Sequence, residues 1–153
     1  MGKLWHLAQY NIARMRALLD DPSMTEFLAN LHRLNSLADG SPGFVWRHQE
    51  QDGTSTSVRV RNDERIIINL SVWDSVEALF EFTYRSEHVE FYRRRRDWFE
   101  HIEQPYLVLW WVPAGSLPKV DEAEARLDHL ITHGSTPYAF TFKQRFPPPD
   151  MHY

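Results

Sequence analysis

The 153-residue chain contains no cysteine. That absence excludes disulfides, thiolate metal sites and a cysteine nucleophile, and it is compatible with a reducing compartment. No apolar run approaches the roughly 20 residues that a membrane span needs. Near the N-terminus, the polar Gln9 and Asn11 arrive too early for a secretory h-region, so a soluble, cytoplasmic protein without membrane partners is expected. A basic excess is also missing. Seventeen Lys and Arg against 21 Asp and Glu give a net charge of −4, and a nucleic-acid footprint is not expected. The histidines His101, His129, His133 and His152 lack metal-ligand spacing with carboxylates, so no metal is expected.

What is present is aromatic. Phe, Trp and Tyr make up 14% of the chain, a share that favours a ring-lined pocket over a plain aliphatic core. The length suits one domain spanning residues 1–153, with a core over 1–113 and a helical appendage and tail over 114–153. The chain is organised around Ile66 to Trp98. Ile66-Ile67-Ile68-Asn69-Leu70-Ser71-Val72-Trp73 reads as a strand that is apolar on both faces. Ser75 then caps a long helix predicted over Val76 to Trp98.

The rest falls into place around this unit. Leu4 to Ala13 reads as a first strand, with His6, Ala8 and Tyr10 on one face and Leu7, Gln9 and Asn11 on the other. Asp21-Pro22 opens a helix that runs to about Asp39 and stops at Gly40-Ser41-Pro42-Gly43. Phe44 to Glu50 is a second strand, with Phe44 and Trp46 on one face and Val45 and Arg47 on the other, and Asp52-Gly53 a turn. Tyr106 to Val112 forms a fourth strand. A helix from about Pro118 to Gly134, a short edge strand at Tyr138 to Phe142 and an extended tail through Met151-His152-Tyr153 follow.

This order predicts an α+β, ferredoxin-like split βαβ fold with a four-stranded antiparallel sheet. Two helices cover only one sheet face, yet the Ile66 and Tyr106 strands are apolar on both. A second copy of the sheet is the simplest cover, so an isologous homodimer is expected, with Trp110 or Trp111 between the sheets.

The segment Val72-Trp73-Asp74-Ser75-Val76-Glu77-Ala78-Leu79, followed by Tyr84-Arg85-Ser86-Glu87-His88, resembles the dimeric α+β-barrel superfamily, which includes antibiotic-biosynthesis-type monooxygenases. More closely, Trp5 to Asn11, Trp73 to Trp98 and Leu109-Trp110-Trp111-Val112-Pro113 resemble the bacterial domain-of-unknown-function 3291 family within it. The resemblance implies a dimeric barrel and a ligand cavity between the central helix and the sheet. It implies function only weakly, because the fold hosts oxygenases, isomerases, haem enzymes and plain binders.

Candidate site residues follow. Phe80, Tyr84, His88, Phe91, Arg95 and Trp98 recur at three- and four-residue steps and share one face of the predicted helix. One reading makes His88 a general base or ligand donor and Arg95 an anion or enolate clamp. The competing reading makes His88 a satisfied core histidine and Arg95 a snorkelling side chain. Asn69 and Ser71 interrupt the apolar strand on the face of Ile67 and Trp73, and their polar groups need partners. Asn69 joins His88 and Arg95 as a catalytic candidate. His6, Ser71, Trp73, Tyr84, Phe91 and Trp98 are candidates to bind ligand. Four consecutive arginines, Arg93 to Arg96, span more than a helical turn and cannot face one partner together.

The reading favoured by the resemblance is a cofactor-independent, monooxygenase-like oxidoreductase acting on a small hydrophobic or aromatic molecule. Its chemistry needs a base, aromatic walls and a dry pocket. Haem with His88 as axial ligand is an alternative. However, the histidine of the superfamily's haem-degrading branch aligns near Arg93, so that motif is missing. A non-catalytic ligand-binding dimer is the third reading.

Overall fold

The computed structural model describes residues 4–49, 60–61, 63–86 and 88–149, leaving out the side chains of residues 88, 91 and 92. The strands are β1 (Trp5–Arg14), β2 (Phe44–Arg47), β3 (Ile66–Trp73) and β4 (Leu107–Pro113). They form one antiparallel sheet in the order β2-β3-β1-β4, the ferredoxin-like arrangement. The helices are α1 (Thr25–Asp39), α2 (Val76–Arg85), α3 (His88–Arg93), α4 (Arg95–Trp98) and α5 (Val120–His133). The expected turn at Asp52-Gly53 and the tail end at Met151-His152-Tyr153 lie outside the described residues.

Local signals in the sequence explain the element starts. Asp21 accepts a hydrogen bond from the Ser23 amide and opens a 3-10 turn, Pro22–Met24, that leads into α1. The Ser75 hydroxyl accepts one from the Ala78 amide at 3.0 Å and starts α2. Gly43 has φ +82°, and a Cβ there would lie 2.4 Å from the Ala78 Cβ, so only glycine lets β2 run this close to α2.

The predicted long helix is broken. At Ser86 the backbone turns extended and ends α2, and its hydroxyl donates back to the Phe82 carbonyl. The two segments beyond are short, and Arg94 anchors their junction. Its guanidinium pairs with Glu26 on α1 at 2.8 Å and with Asp97 at 3.0 Å, and lies 4.6 Å over the Trp98 ring.

Sheet faces follow the strand period of two. Leu7, Gln9, Asn11, Ile67, Asn69, Ser71 and Trp73 face the side of α1 and α2, because Gln9 pairs with Ser71 and Asn11 with Asn69. Ala8, Tyr10, Leu70, Val72, Val108 and Trp110 face the other way. There they pack against Ala123, Leu127 and Leu130 of α5. The cover that the sequence assigned to a second copy is therefore supplied by the chain itself. Trp110 is 0% exposed in a single copy, so it is buried without a partner sheet. Within the C-terminal range, helix α5 packs into the core. Leu127 is fully buried, and Arg61 ties the loop before β3 to Glu124 and Asp128 of α5 at 3.1 and 3.0 Å. The expected edge strand meets the sheet through an antiparallel bridge between Phe140 and Leu109 and otherwise forms local bridges, Thr136 with Ala139 and Thr141 with Gln144.

Candidate ligand-binding site

Between the sheet and helices α1 and α2 lies a cavity of about 240 Å³. Its walls are apolar: Leu34 and Ala38 from α1, Leu79 and Phe82 from α2, Phe44 from β2, and Phe142 from the C-terminal segment. It opens where Asn69 and Tyr106 stay exposed. The volume falls just below the roughly 300–1,000 Å³ usual for ligand pockets, which suits a molecule of one or two rings.

The floor is polar and internally bonded. The Gln9 amide donates to the Asn69 side-chain oxygen at 2.7 Å and to Ser71 Oγ at 2.9 Å. The Trp73 indole N–H donates to the same Ser71 Oγ at 2.9 Å, and Asn11 donates to the Gln9 oxygen. Gln9 and Ser71 are 3% and 5% exposed, so satisfaction matters. A serine hydroxyl has two lone pairs and one proton. Both lone pairs of Ser71 are engaged by N–H donors, which leaves its O–H as a donor. The Asn69 amide nitrogen likewise keeps its hydrogens for whatever lies above.

The structure brings Asn69, Ser71, Trp73 and Arg95 together along this cavity. Other candidates lie elsewhere. His6 pairs with Val112 and points to the α5 face, opposite Asn69; its Nδ1 is buried with no hydrogen-bond partner among the described residues. Tyr84 is outside the lining, its ring tilted against Phe80 at 4.9 Å between centroids and near Phe142 at 5.8 Å. Trp98 is buried in a separate cluster with Phe27, Met15 and Ile67. The reason is rotational. On α2 the inward residues are Leu79, Phe82 and Thr83, so the stripe of Phe80 and Tyr84 lies to one side. The side chains of His88 and Phe91 lie outside the described residues, although both belong to α3.

Several lining residues were not singled out in the sequence. Gln9 and Asn11 carried a usable signal: two polar residues at i and i+2 on β1 match Asn69 and Ser71 at the same spacing on β3. Arg47 carried none, because strict alternation put it on the wrong face relative to Phe44. A bulge at Val45 shifts the pairing so that Phe44 meets Trp73, Trp46 meets Val72 and Arg47 meets Ser71. Phe44 and Arg47 thus both line the cavity, and Trp46 joins the α5 side.

Among the described residues, no three His, Asp or Glu side chains gather as metal ligands, and no helix is long and apolar enough to cross a membrane.

A family model described as "Domain of unknown function (DUF3291)" matches residues 6–153. The chain belongs to this family. No curated protein matches it. Among solved structures, the chain is similar to SnoaB, a cofactor-independent oxygenase from Streptomyces nogalater, at 16% identity and TM-score 0.47, over 74% of this chain and 98% of that one. It is also similar to PA3566 from Pseudomonas aeruginosa, at 14% identity and TM-score 0.46, over 76% and 99% respectively.

Proposed function

We propose that the protein binds a small hydrophobic or aromatic molecule in the cavity above Asn69 and Ser71, and acts on it as a cofactor-independent, monooxygenase-like enzyme. The observation that carries this reading is Ser71, whose oxygen accepts from both Gln9 and Trp73 and so must donate outward. With the Asn69 amide it forms a pair of donors in an apolar enclosure. That arrangement favours a substrate oxygen that gains negative charge during reaction.

The matching chemistry is oxidation of a CH2 group beside a carbonyl. Loss of one proton gives an enolate held by the donors, and the carbanion carbon adds O2 to form a peroxide. Loss of the second hydrogen with O–O cleavage leaves a new C=O and releases water. One oxygen atom stays in the product and the other leaves in water, so no external reductant is needed. None of the described lining residues is a carboxylate or an imidazole. We assign proton removal to His88 of α3, the base candidate read from the sequence, with Arg95 beside the enolate.

The test uses 2-indanone, whose CH2 lies between an aryl ring and a ketone, in an oxygen electrode. Oxygen uptake with formation of 1,2-indanedione is expected. Ser71→Ala should lower kcat by about tenfold or more, in line with the loss of an oxyanion donor. Equal rates for wild type and Ser71→Ala would remove the donor role, and tight binding with no oxygen uptake would reduce the protein to a binder of this molecule.

A further inference from the structure

We propose that Gln9 sets the polarity of the cavity floor, so that the site accepts a ketone and turns away the alcohol of the same shape. This rests on the binding role proposed above and adds the residue that decides which oxygen group the ligand must present.

Gln9 lies in the middle of β1, opposite Ser71 of β3, and is 3% exposed. A side-chain amide carries two N–H hydrogens, and both are used here. One goes to the Asn69 side-chain oxygen at 2.7 Å and the other to Ser71 Oγ at 2.9 Å. Asn11 fixes the direction by donating to the Gln9 oxygen. Each neighbour is thereby polarised. Asn69 spends its oxygen on Gln9 and keeps its NH2 for the cavity. Ser71 already accepts from the Trp73 indole at 2.9 Å, a group that can only donate, so the bond from Gln9 occupies its second lone pair.

The consequence is selective. A ketone oxygen accepts from Ser71 and Asn69 and leaves no group of its own unpaired. An alcohol oxygen accepts from the same donors, but its O–H then meets a floor whose acceptors are taken. A buried hydroxyl hydrogen without a partner weakens binding. Gln9 acts through Ser71 and Asn69, so it is a positioning residue.

The experiment is isothermal titration calorimetry under nitrogen, which prevents oxidation, with 2-indanone and 2-indanol. The two share a ring system and differ at the oxygen. The wild-type protein should bind the ketone about tenfold more tightly, as expected for one orphaned donor. Gln9→Met nearly keeps the volume and removes both N–H donors. It frees a lone pair on Ser71 and lets Asn69 turn, so the affinity ratio should fall to about one. Asn11→Asp should reverse the sign. A carboxylate at that position only accepts, so Gln9 swings its NH2 toward it about a broad terminal torsion. The Gln9 oxygen then faces Ser71 and Asn69, Ser71 donates inward, and its free lone pair favours the alcohol. A purely structural Gln9 would weaken both ligands alike and leave the ratio as it is in the wild type. Equal affinities in the wild type, or a ketone preference that survives in Gln9→Met or in Asn11→Asp, overturn the proposal.

Thr83→Trp, which fills the cavity from α2, separates this failure from that of the binding role. If Thr83→Trp blocks both ligands but the wild type does not distinguish them, the cavity stands and the role of Gln9 falls. If neither ligand binds the wild type, or Thr83→Trp affects neither, the binding role falls and takes the preference with it.

Discussion

Tyr10 sits on the α5 face of β1, 0% exposed, and its hydroxyl donates to Glu124 at 2.8 Å. Burial raises its pKa above the ordinary value near 10.0, and the hydrogen bond and negative charge of Glu124 push in the same direction. The sign of the stability effect follows. A raised folded-state pKa contributes stability that is fully present below the unfolded value of about 10 and is lost as pH rises above it, because only the unfolded chain releases the proton there. Denaturation of wild type and Tyr10→Phe should therefore diverge in slope above that pH, with the wild type losing stability faster. Parallel slopes would show that the phenol ionises equally in both states. The comparison uses slopes, since the substitution also removes the bond to Glu124 at every pH.

At the scale of elements, α2 both starts and aims the cavity wall. The Ser75 cap satisfies the Ala78 amide, and Ser75→Ala should cost about 1 kcal/mol in urea denaturation, whereas Ser75→Asp should retain most of the stability. A loss of only a few tenths for Ser75→Ala would mean that water replaces the cap without penalty. This start was legible because capping is local chemistry, read from the residues themselves. The end of α2 was not. Helical spacing from Tyr84 to Trp98 continues across Ser86, and periodicity does not register a change of axis. The same limit misplaced Tyr84 and Trp98, which satisfy the spacing but lie off the inward face. Strands show the matching contrast. Asn69, Ser71 and Trp73 were placed on one face correctly because β3 is regular, while Arg47 was not, because one bulged residue inverts every face assignment beyond it.

At the scale of the whole molecule, the open question in the sequence was what covers the second face of the sheet. Composition shows that the face is apolar, but not whether the cover comes in cis or from another copy. Here α5 covers it, with Ala123 and Leu127 at 0% exposure and Leu130 at 3%. A homodimer, as the superfamily resemblance implies, is therefore proposed to use another surface, because sheet-on-sheet association would first have to strip α5 away. Losing even two buried leucines costs on the order of 3–6 kcal/mol, at about 1.5–3 kcal/mol each. Leu127→Ala distinguishes the arrangements. If α5 packs in cis, the substitution lowers stability by about 2–5 kcal/mol, and the loss is the same across a wide range of protein concentration. If the face is instead shared between copies, Leu127→Ala weakens association, its dimer dissociates at higher protein concentration than that of the wild type, and the stability loss varies with concentration. Urea curves with parallel sedimentation on both proteins decide between them, and a concentration-dependent loss would return the second face of the sheet to the dimer.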